Sequence, residues 1–538
     1  MTPAREIGAF NILVFLIFLW LLSKLVGRLG RRGRTTPLRG PANKSLLFGL
    51  TRYINVEADD SGAVYESWAA EYGPAFRVPG VLGSHRIVIC DAKAIAHFYS
   101  KETFGYVQSP RARSTIKNIV GRGLLWSEGE SHRRQRKALS PAFSNAAIRR
   151  LTSVFFDSSY KMKAAWDSIL ETNPDNTVID VQKWMNHISL DSIGIAGFSH
   201  DFGSLDGKHS DVAAVFDSFG SINPSYFSMV IFLLALVFPI LLKLPTNRNL
   251  LVLKLRERTS EIADVLLERT RKEKEGRTGT VEEKSIIGLL IKAESAETEL
   301  HMSQEEIVAQ MNVLLLAGYE TTSSKTFLTW ALIELSKNPE KQAKLREELL
   351  SQYTTTDPTW EQLANGLPYL DSVVHEILRL HPPVGETFRV AAEDDIIPLS
   401  RPLVTLSGQT VSSIAIGKGT MVGVPIRCMN RSEVLWGKDA KEFRPERWLE
   451  PGFGENNEVQ GHRHLLTFID GPRTCLGRGF ALAEFKAVLS VLIRKYAFEF
   501  PGPGGAVPKI EKHRSILPRP KVEGQDGAKV PLRVRRVE

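Results

Sequence analysis

One cysteine near the carboxyl end of the chain stands in a setting suited to metal chemistry. Cys475 follows turn-forming residues and comes just before an apolar segment, 481–496, whose periodicity predicts a helix. The N–H groups at a helix start lack partners and, together with the helix dipole, favour negative charge. Such a site is expected to lower the pKa of a thiol, and the thiolate is the form that binds metal. The alternative interpretation is a buried structural thiol.

Three neighbours support the metal-binding interpretation. Gly477 has no Cβ, so backbone can pack close to the sulfur. Phe468 would cover the sulfur on one side, and Arg473 supplies a fixed cation two residues before the cysteine.

A polar cluster interrupts the sequence of a long, otherwise apolar helix. Ser303 and Glu306 form a capping box, and the helix can continue to about residue 338, before a proline. In its middle, Glu320 and Thr321 follow an apolar run and a glycine. A carboxylate and hydroxyls at this place cost stability and can open the helix locally. A polar face turned to solvent is the alternative, but apolar residues flank the cluster on both sides.

Two further charged patterns are weak when each is taken alone. The segment 126–143 contains a basic run that includes His132 and Arg136, and most such runs are solvated faces. Glu376 and Arg379 stand three apart on one helix face, where exposed pairs contribute little.

The cysteine segment resembles the haem-binding loop of cytochrome P-450 monooxygenases. The family pattern Phe-x-x-Gly-x-Arg-x-Cys-x-Gly is matched at every specified position, by Phe468, Gly471, Arg473, Cys475 and Gly477. Five matches at fixed spacing make this resemblance highly specific.

Three other segments resemble motifs of the same family, in the family's order. The oxygen-activation motif is matched by Ala317, Gly318, Glu320, Thr321 and Thr322. The Trp-x-x-x-Arg helix motif is matched by Arg136, with His132 at the tryptophan position. The Glu-Arg-Arg network that locks the scaffold of the cysteine loop is matched by Glu376, Arg379 and Arg447.

The resemblance implies haem b as the cofactor, with Cys475 as the ligand of its iron. It also implies that Glu320 and Thr321 relay protons to dioxygen through water. The residues implied to contact the haem propionates are Arg136, His132, Arg389 and Arg473, and those implied to surround the sulfur are Phe468 and Gly477.

The amino-terminal segment predicts a membrane anchor. Its first 26 residues include an almost uncharged run of about 20 residues, or ~30 Å of helix, which is enough to span a bilayer. A cleaved signal peptide is the alternative, but basic residues follow instead of a small-residue cleavage site. These cations place the rest of the chain on the cytosolic side. We therefore predict an anchor at 1–26, a basic, proline-containing linker at 27–45 and a catalytic domain at 46–538.

Composition narrows the possible partners. The 538-residue chain has a net charge of +9, which suits an acidic partner surface. The basic residues are spread widely without a nucleic-acid motif, so we expect no nucleic acid. Three cysteines without paired spacing imply no disulfide framework.

A second apolar stretch, 219–242, contains Pro239, and the resemblance favours a lid over the substrate channel rather than a second span.

The fold expected from the resemblance is mainly α with a small β-rich lobe, the cytochrome P-450 fold, plus one amino-terminal transmembrane helix. The residues themselves predict part of the lobe, a small hairpin within 75–90. The resemblance is to fungal microsomal members, which implies an endoplasmic reticulum membrane protein that oxidises a terpenoid, a sterol or another lipophilic secondary metabolite.

No flavin or nicotinamide motif occurs, so electrons must come from outside the chain. The family precedent is an NADPH–cytochrome P-450 reductase, with cytochrome b5 as a second candidate donor. We expect docking on a basic surface formed by Arg133, Arg134, Lys137 and Arg478. The alternatives are a related isomerase or dehydratase that uses no dioxygen, against which Glu320 and Thr321 argue, and a non-catalytic haem-binding membrane protein.

Overall fold

Helices dominate the part of the chain that the structure describes. The computed structural model describes residues 33–57, 60–172, 177–208, 214, 244, 246–275, 286, 288, 290, 300–319, 327–454, 458–513, 515 and 517–537. In chain order the helices are α1 (Ser61–Tyr72), α2 (Ala92–Ser100), α3 (Pro110–Val120), α4 (Gly129–Leu139), α5 (Asn145–Thr172), α6 (Val181–Phe198), α7 (Asn247–Glu275), α8 (Gln304–Ala317), α9 (Thr329–Lys337), α10 (Pro339–Gln352), α11 (Trp360–Asn365), α12 (Pro368–Leu380), α13 (Ile426–Arg431), α14 (Glu433–Trp436) and α15 (Arg478–Lys495).

The strands form small sheets beside the helices. They are β1 (Ala75–Pro79), β2 (His85–Ile89), β3 (Tyr106–Val107), β4 (Val178–Asp180), β5 (Thr387–Ala391), β6 (Asp395–Val404), β7 (Thr410–Ile416), β8 (Met421–Val424), β9 (Tyr496–Glu499), β10 (Ile510–His513), β11 (Arg519–Val522) and β12 (Pro531–Arg536). The largest sheet has the order β1-β2-β8-β5-β3, and the smaller ones are β4-β12-β9, β6-β7 and β10-β11. The prediction of a mainly helical fold with small sheets is confirmed.

The hairpin expected near the start of the domain is present. Strands β1 and β2 pair antiparallel, with Ala75 opposite Ile89 and Pro79 opposite His85. Strand β2 also pairs with β8 in parallel, so the hairpin becomes the edge of the five-stranded sheet. Strand β5 lies two places further along, next to β8.

The central helix begins at the predicted capping box. The Oγ atom of Ser303 accepts from the N–H of Glu306, and the N–H of Ser303 donates to the Glu306 carboxylate. Helix α8 ends at Ala317, followed by Gly318 and Tyr319 in π-helical conformation. Two more π-helical residues precede α9, whose end at Lys337 agrees with the predicted stop. Helical winding therefore departs from the α-helix on both sides of the predicted polar cluster.

The helix that follows the cysteine lies in the centre of the hydrophobic core. Helix α15 begins three residues before the predicted start, and nearly all of its side chains are buried. It packs on α5, where the rings of Phe155 and Phe480 are 4.9 Å apart, edge to face. A cysteine placed just before such a helix is held next to a closely packed core.

The predicted membrane anchor and the apolar stretch 219–242 lie outside the described residues. Within the part of the chain that is described, no helix combines the length and the apolar composition that a bilayer span requires. The later part of the predicted linker packs on the domain: the N–H of Thr36 donates to Ala415 at 3.0 Å, the N–H of Arg77 donates to Arg39 at 2.9 Å, and Leu38 is buried.

Candidate haem-thiolate site

A tight turn presents Cys475 in front of α15. The turn is a short 3-10 segment, Gly471–Arg473, and the N–H of Cys475 donates to the carbonyl of Phe468 at 2.8 Å. Gly471 has a φ of 69°, and a Cβ on it would lie 2.3 Å from the carbonyl oxygen of Tyr99. Glycine is thus required at this position, because any side chain would collide with the backbone at the end of α2.

The thiol of Cys475 has accessible surface, although the surrounding protein desolvates it. Burial raises the pKa of this thiol, while a hydrogen bond from the N–H of Gly477 and the charges of Arg136 and Arg478 lower it. The net pKa is raised, so the prediction of a lowered pKa is wrong for the protein alone: desolvation exceeds the effect of the donors. A bound metal cation would reverse this balance, because a coordinating thiol loses its proton.

Four basic side chains from three parts of the fold interact electrostatically, and one of them, Arg136, also acts on the thiol of Cys475. His132 and Arg136 lie one turn apart on α4, Arg389 is on β5, and Arg473 belongs to the cysteine turn. Burial, then Arg473, Arg136 and Arg389, lowers the pKa of His132 to about 3. Charges act on a neighbour's pKa over short distances, so all three guanidinium groups lie within electrostatic reach of this histidine. The predicted propionate-contacting residues are therefore brought together, with His132 neutral near pH 7.

Two carboxylates that no sequence pattern singles out pair with two of these arginines. Glu128 accepts from Nη2 of Arg473 at 2.6 Å, and the same nitrogen donates to the carbonyl of Ser127 at 2.6 Å. Glu102 lies 2.9 Å from Nε of Arg389. Glu128 is at the start of α4 and Glu102 follows α2, so only the packing of these segments brings them to the site.

The donor set fits the cofactor that the resemblance implies. Nε of Arg473 and Nε of Arg389 are buried, and neither finds a hydrogen-bond partner among the described residues. Unsatisfied buried donors are costly in a folded protein, and a bound anion removes that cost. An accessible thiol and a nearby cluster of cations match a metal-containing cofactor whose metal takes a thiolate ligand and whose organic part carries acidic groups. The side chain of Phe468 is buried, and Gly477 is the N-cap residue of α15.

The two predicted proton-relay residues, Glu320 and Thr321, lie outside the described residues. Gly318, two residues before Glu320, allows α8 to approach α6 closely, because a Cβ on it would lie 2.5 Å from Ile193. Oγ of Ser189 on α6 donates to the carbonyl of Gly318 at 2.8 Å. A helix carbonyl bound by a neighbouring serine, together with π-helical winding at residues 318 and 319, is typical of functional sites.

A buried polar chain joins the helix of His132 to the central helix. Nε2 of Gln310 on α8 donates to Oε1 of Gln135 on α4 at 2.7 Å, and Nε2 of Gln135 donates to Glu306 at 2.9 Å. Both glutamines are buried. The relative position of α4 and α8 is therefore fixed by directional bonds as well as by packing.

The predicted Glu-Arg-Arg network is present and fully buried. The Glu376 carboxylate accepts from Nε and Nη2 of Arg379 at 2.9 and 2.8 Å and from Nε of Arg447 at 3.1 Å. The indole N–H of Trp448 donates to the same carboxylate at 2.9 Å. This network ties α12 to the segment that leads to the cysteine turn.

One expectation about basic residues needs correction. Arg134 does not belong to a free docking surface, because its guanidinium is bonded to the Glu306 carboxylate and to the carbonyl of His301. A further basic residue, His462, lies with its Nε2 3.2 Å from Nε2 of His375, and burial lowers its pKa to about 3. Both arrangements arise from long-range packing that the local sequence does not reveal.

Comparison with known proteins agrees with the geometry. The family profile described as Cytochrome P450 matches residues 39–524. Over 538 residues, the whole of both chains, the protein is 87% identical to Cytochrome P450 monooxygenase claQ of Ampulloclitocybe clavipes. It is 61% identical over 540 residues, 99% of each chain, to Cytochrome P450 monooxygenase claU of the same fungus. It is 32% identical over 456 residues, 80% of this chain and 82% of the other, to Ganoderic acid synthetase CYP5150L8 of Ganoderma lucidum.

The cysteine turn, the convergent cations and the buried Glu-Arg-Arg network thus occur in a chain that the family profile covers almost from end to end. A haem-thiolate cofactor, an external reductase and a small-molecule substrate are implied by this membership. The chain belongs to the cytochrome P-450 family and is one of its monooxygenases.

Proposed function

We propose that this monooxygenase inserts one oxygen atom of dioxygen into a lipophilic terpenoid, sterol or related secondary metabolite, using haem b held through Cys475. The observation that supports the site assignment is the cluster of His132, Arg136, Arg389 and Arg473, of which Arg136 acts on the charge of that thiol. The name of the Ganoderma relative, a ganoderic acid synthetase, supports a lipophilic secondary metabolite as the substrate class.

Cys475 is proposed as the proximal ligand of the iron. When bound, haem supplies the activation of dioxygen, and electron donation from the thiolate favours cleavage of the O–O bond. The N–H of Gly477 hydrogen-bonds to the sulfur and moderates its charge. Phe468 holds the cysteine through its carbonyl, and its buried side chain limits the access of water.

The cations are proposed to bind the two propionates and so to orient the cofactor. Arg473 and Arg389 are positioned by Glu128 and Glu102, and each keeps a buried Nε–H without a hydrogen-bond partner in the described structure. Arg136 and His132 approach from α4. A neutral imidazole can still donate one hydrogen bond, which is the role proposed for His132.

Glu320 and Thr321 are proposed to relay protons from solvent to dioxygen. A carboxyl group and a hydroxyl can do this through water when both face the reacting side of the cofactor. The support is indirect: the winding of the central helix departs from the α-helix on either side of these residues, and Ser189 binds the carbonyl of Gly318.

We further propose that residues 1–26 anchor the enzyme in the endoplasmic reticulum membrane, with the linker 27–45 leading to a cytosolic catalytic domain 46–538. An NADPH–cytochrome P-450 reductase would deliver the electrons, and cytochrome b5 is a candidate second donor. The stretch 219–242 is proposed as a lid whose apolar surface admits the lipophilic substrate from the membrane.

Spectroscopy of the reduced, carbon monoxide-treated full-length protein tests the site directly. We expect the red-shifted Soret absorption of a thiolate-bound haem, and Cys475→Ser should abolish it. The matched control is Cys90→Ser, at a cysteine in the hydrophobic core, which should retain the red-shifted absorption. A Cys475→Ser variant with unchanged absorption and turnover would overturn the assignment of the ligand.

Substrate class requires a second experiment. The enzyme is combined with a reductase, NADPH and a panel of terpenoids, sterols and aromatic compounds, and the products are analysed by mass spectrometry. Incorporation of one oxygen atom from labelled dioxygen is expected with a terpenoid or sterol. Product formation without dioxygen would instead indicate an isomerase or dehydratase.

A further inference from the structure

Glu102 is a fully buried carboxylate for which the proposed mechanism has no direct use. Its side chain has 0% exposure, and neither of its oxygens has a hydrogen-bond partner among the described residues. Buried carboxylates are normally hydrogen-bonded, because an ion without such bonds loses its hydration without compensation. A buried carboxylate without hydrogen bonds is expected to have a function or to take up a proton.

Charged groups on three other segments act on Glu102. Nε of Arg389 on β5 lies 2.9 Å from Oε1, although its N–H does not point at that oxygen. Arg473 on the cysteine turn and Glu128 at the start of α4 act on it electrostatically, and Tyr99 lies at the end of α2. Burial is the largest influence and raises the pKa of Glu102 to about 7, while Arg389 and Arg473 lower it and Glu128 raises it.

Glu102 and Glu128, the two carboxylates that pair with Arg389 and Arg473, lie on segments that are joined to each other. The N–H of Gly129 donates to the carbonyl of Thr103 at 3.0 Å, which joins the segment of Glu102 to that of Glu128. Oε1 of Glu128 also accepts from the N–H of Gln108 at 2.8 Å. Glu128 is thereby fixed and satisfied, whereas Glu102 is fixed by its backbone but keeps its oxygens unsatisfied. Glu102 is therefore the one of the two carboxylates whose charge can change without the loss of a hydrogen bond within the described residues.

We propose that Glu102 is a positioning residue that sets, by gaining or losing a proton, how much positive charge Arg389 presents to a haem propionate. This inference rests on the proposed role of Arg389 as a propionate ligand. With Glu102 ionised, Arg389 is shared between two anions; with Glu102 protonated, its full charge is available to the propionate.

The reduction potential of the iron should then depend on pH. Reduction adds an electron to the site, and positive charge nearby favours the reduced form. Protonation of Glu102 makes the site more positive, so the midpoint potential should be higher at low pH and should fall as the pH rises through the pKa of Glu102. Propionates would add negative charge and raise that pKa, so the step is expected at or above about pH 7. His132, with a pKa of about 3, stays neutral over this range.

The test is a spectroelectrochemical titration of the full-length holoenzyme from about pH 6 to pH 9. The wild type should show the step in midpoint potential. Glu102→Gln keeps a carbonyl oxygen near Arg389 but cannot ionise, so its potential should be independent of pH and should equal the low-pH value of the wild type. Glu102→Asp keeps the carboxyl group and should keep the step. The matched control is Glu130→Gln on the exposed face of α4, which should behave as the wild type.

A second readout separates position from charge. Glu102→Leu removes both the charge and the partner of Arg389, so haem should transfer to apomyoglobin roughly tenfold faster, as expected for the loss of one charged contact. Glu102→Gln should transfer haem at nearly the wild-type rate.

Two results would overturn the proposal: a flat potential in the wild type, or a step that persists unchanged in Glu102→Gln. If Glu102→Gln does not incorporate haem, Glu102→Asp serves as the test instead. Loss of the pH-dependent step in midpoint potential in that variant would also overturn the proposal. These results can be distinguished from those expected if the proposed haem site itself is wrong. In that case the wild type would lack the thiolate spectrum and would give no potential to measure.

Discussion

At the scale of single residues, we propose that His132 takes over a hydrogen-bonding role that the family motif gives to a different side chain. The family motif has tryptophan at this position, and both indole and neutral imidazole can donate one N–H. Burial and three arginines keep this histidine neutral, since they lower its pKa to about 3. The substitution thus removes a large aromatic ring but retains a donor.

We predict that His132→Trp binds haem about as tightly as the wild type, whereas His132→Phe binds it more weakly. The phenyl ring has no donor, so one hydrogen bond to a charged acceptor is lost, which corresponds to roughly tenfold faster haem release. Haem transfer to apomyoglobin measures this rate. Equal rates in the Phe variant and the wild type would contradict a role for His132 at the propionates.

The pKa of His132 also gives a stability prediction with a defined sign. The folded protein binds the proton less readily than the unfolded chain, whose histidine has a pKa near 6.5. This residue therefore costs stability progressively as the pH falls from about 6.5 towards 3, and the cost is absent at neutral pH. His132→Phe should reduce the slope of unfolding free energy against pH within that range, as measured by urea unfolding at several pH values.

At the scale of elements, the link between α12 and the cysteine segment runs through buried polar groups. Arg379 also donates to the carbonyls of Asn430 and Ala440 at 3.0 and 2.5 Å. The side chain of Asn430 then binds the N–H of Leu466 and the hydroxyl of Thr467 at 3.0 and 2.7 Å, and Thr467 immediately precedes Phe468. A continuous set of hydrogen bonds thus connects the Glu376 network to the cysteine loop.

We predict that Glu376→Gln destabilises the fold by about 3–5 kcal/mol, because it leaves two buried guanidinium groups without their counter-charge. The matched control is Glu433→Gln, which removes a half-exposed carboxylate that pairs with Lys441. Such a surface pair contributes at most about 1 kcal/mol. Urea unfolding followed by circular dichroism compares the two variants. Similar urea midpoints of unfolding for the two variants would contradict a stabilising role for the Glu376 network.

At the scale of the whole molecule, helix α4 connects the outer surface to the site. His132 and Arg136 occupy its inner face, and Arg133 and Lys137, each one residue further along, are exposed. Both pairs have a four-residue spacing, so each pair lies along one face of the helix. Arg133 and Lys137 thus form a basic surface on the outer side of the helix that carries the residues proposed to hold the haem. The net charge of +9 adds a long-range attraction for an acidic reductase.

We predict that Arg133→Glu combined with Lys137→Glu slows reduction of the enzyme by its reductase at least tenfold at low salt, and by less at high salt, without loss of haem. Stopped-flow reduction under carbon monoxide measures the rate. The control is Arg401→Glu, an equally exposed charge reversal on the β6–β7 pair. Arg134 is left out of the test because its reversal would break the contact with Glu306. An unchanged rate and salt dependence would place the docking surface elsewhere.

The parts of the fold that sequence reasoning predicted well are those decided by neighbours in the chain. A capping box at Ser303, a hairpin at β1 and β2, and the helix after Cys475 depend on side chains a few residues apart. The Glu-Arg-Arg network was predicted from resemblance alone, since the distance from Glu376 to Arg447 along the chain has no local signature.

The sequence by itself determined the setting of Cys475, a single cysteine between a glycine-dependent turn and a helix start, because each of these constraints is local; its proposed role as the ligand comes from the match to the family pattern. Tertiary structure alone decided the electrostatics around it. Burial, which no local pattern measures, raises the pKa values of Cys475 and Glu102 and lowers that of His132. Packing of distant segments brings Glu102 and Glu128 behind the arginines, and it commits Arg134 to Glu306 rather than to a partner. Charge balance in a buried site depends on distances in space, and those exist only once the chain has folded.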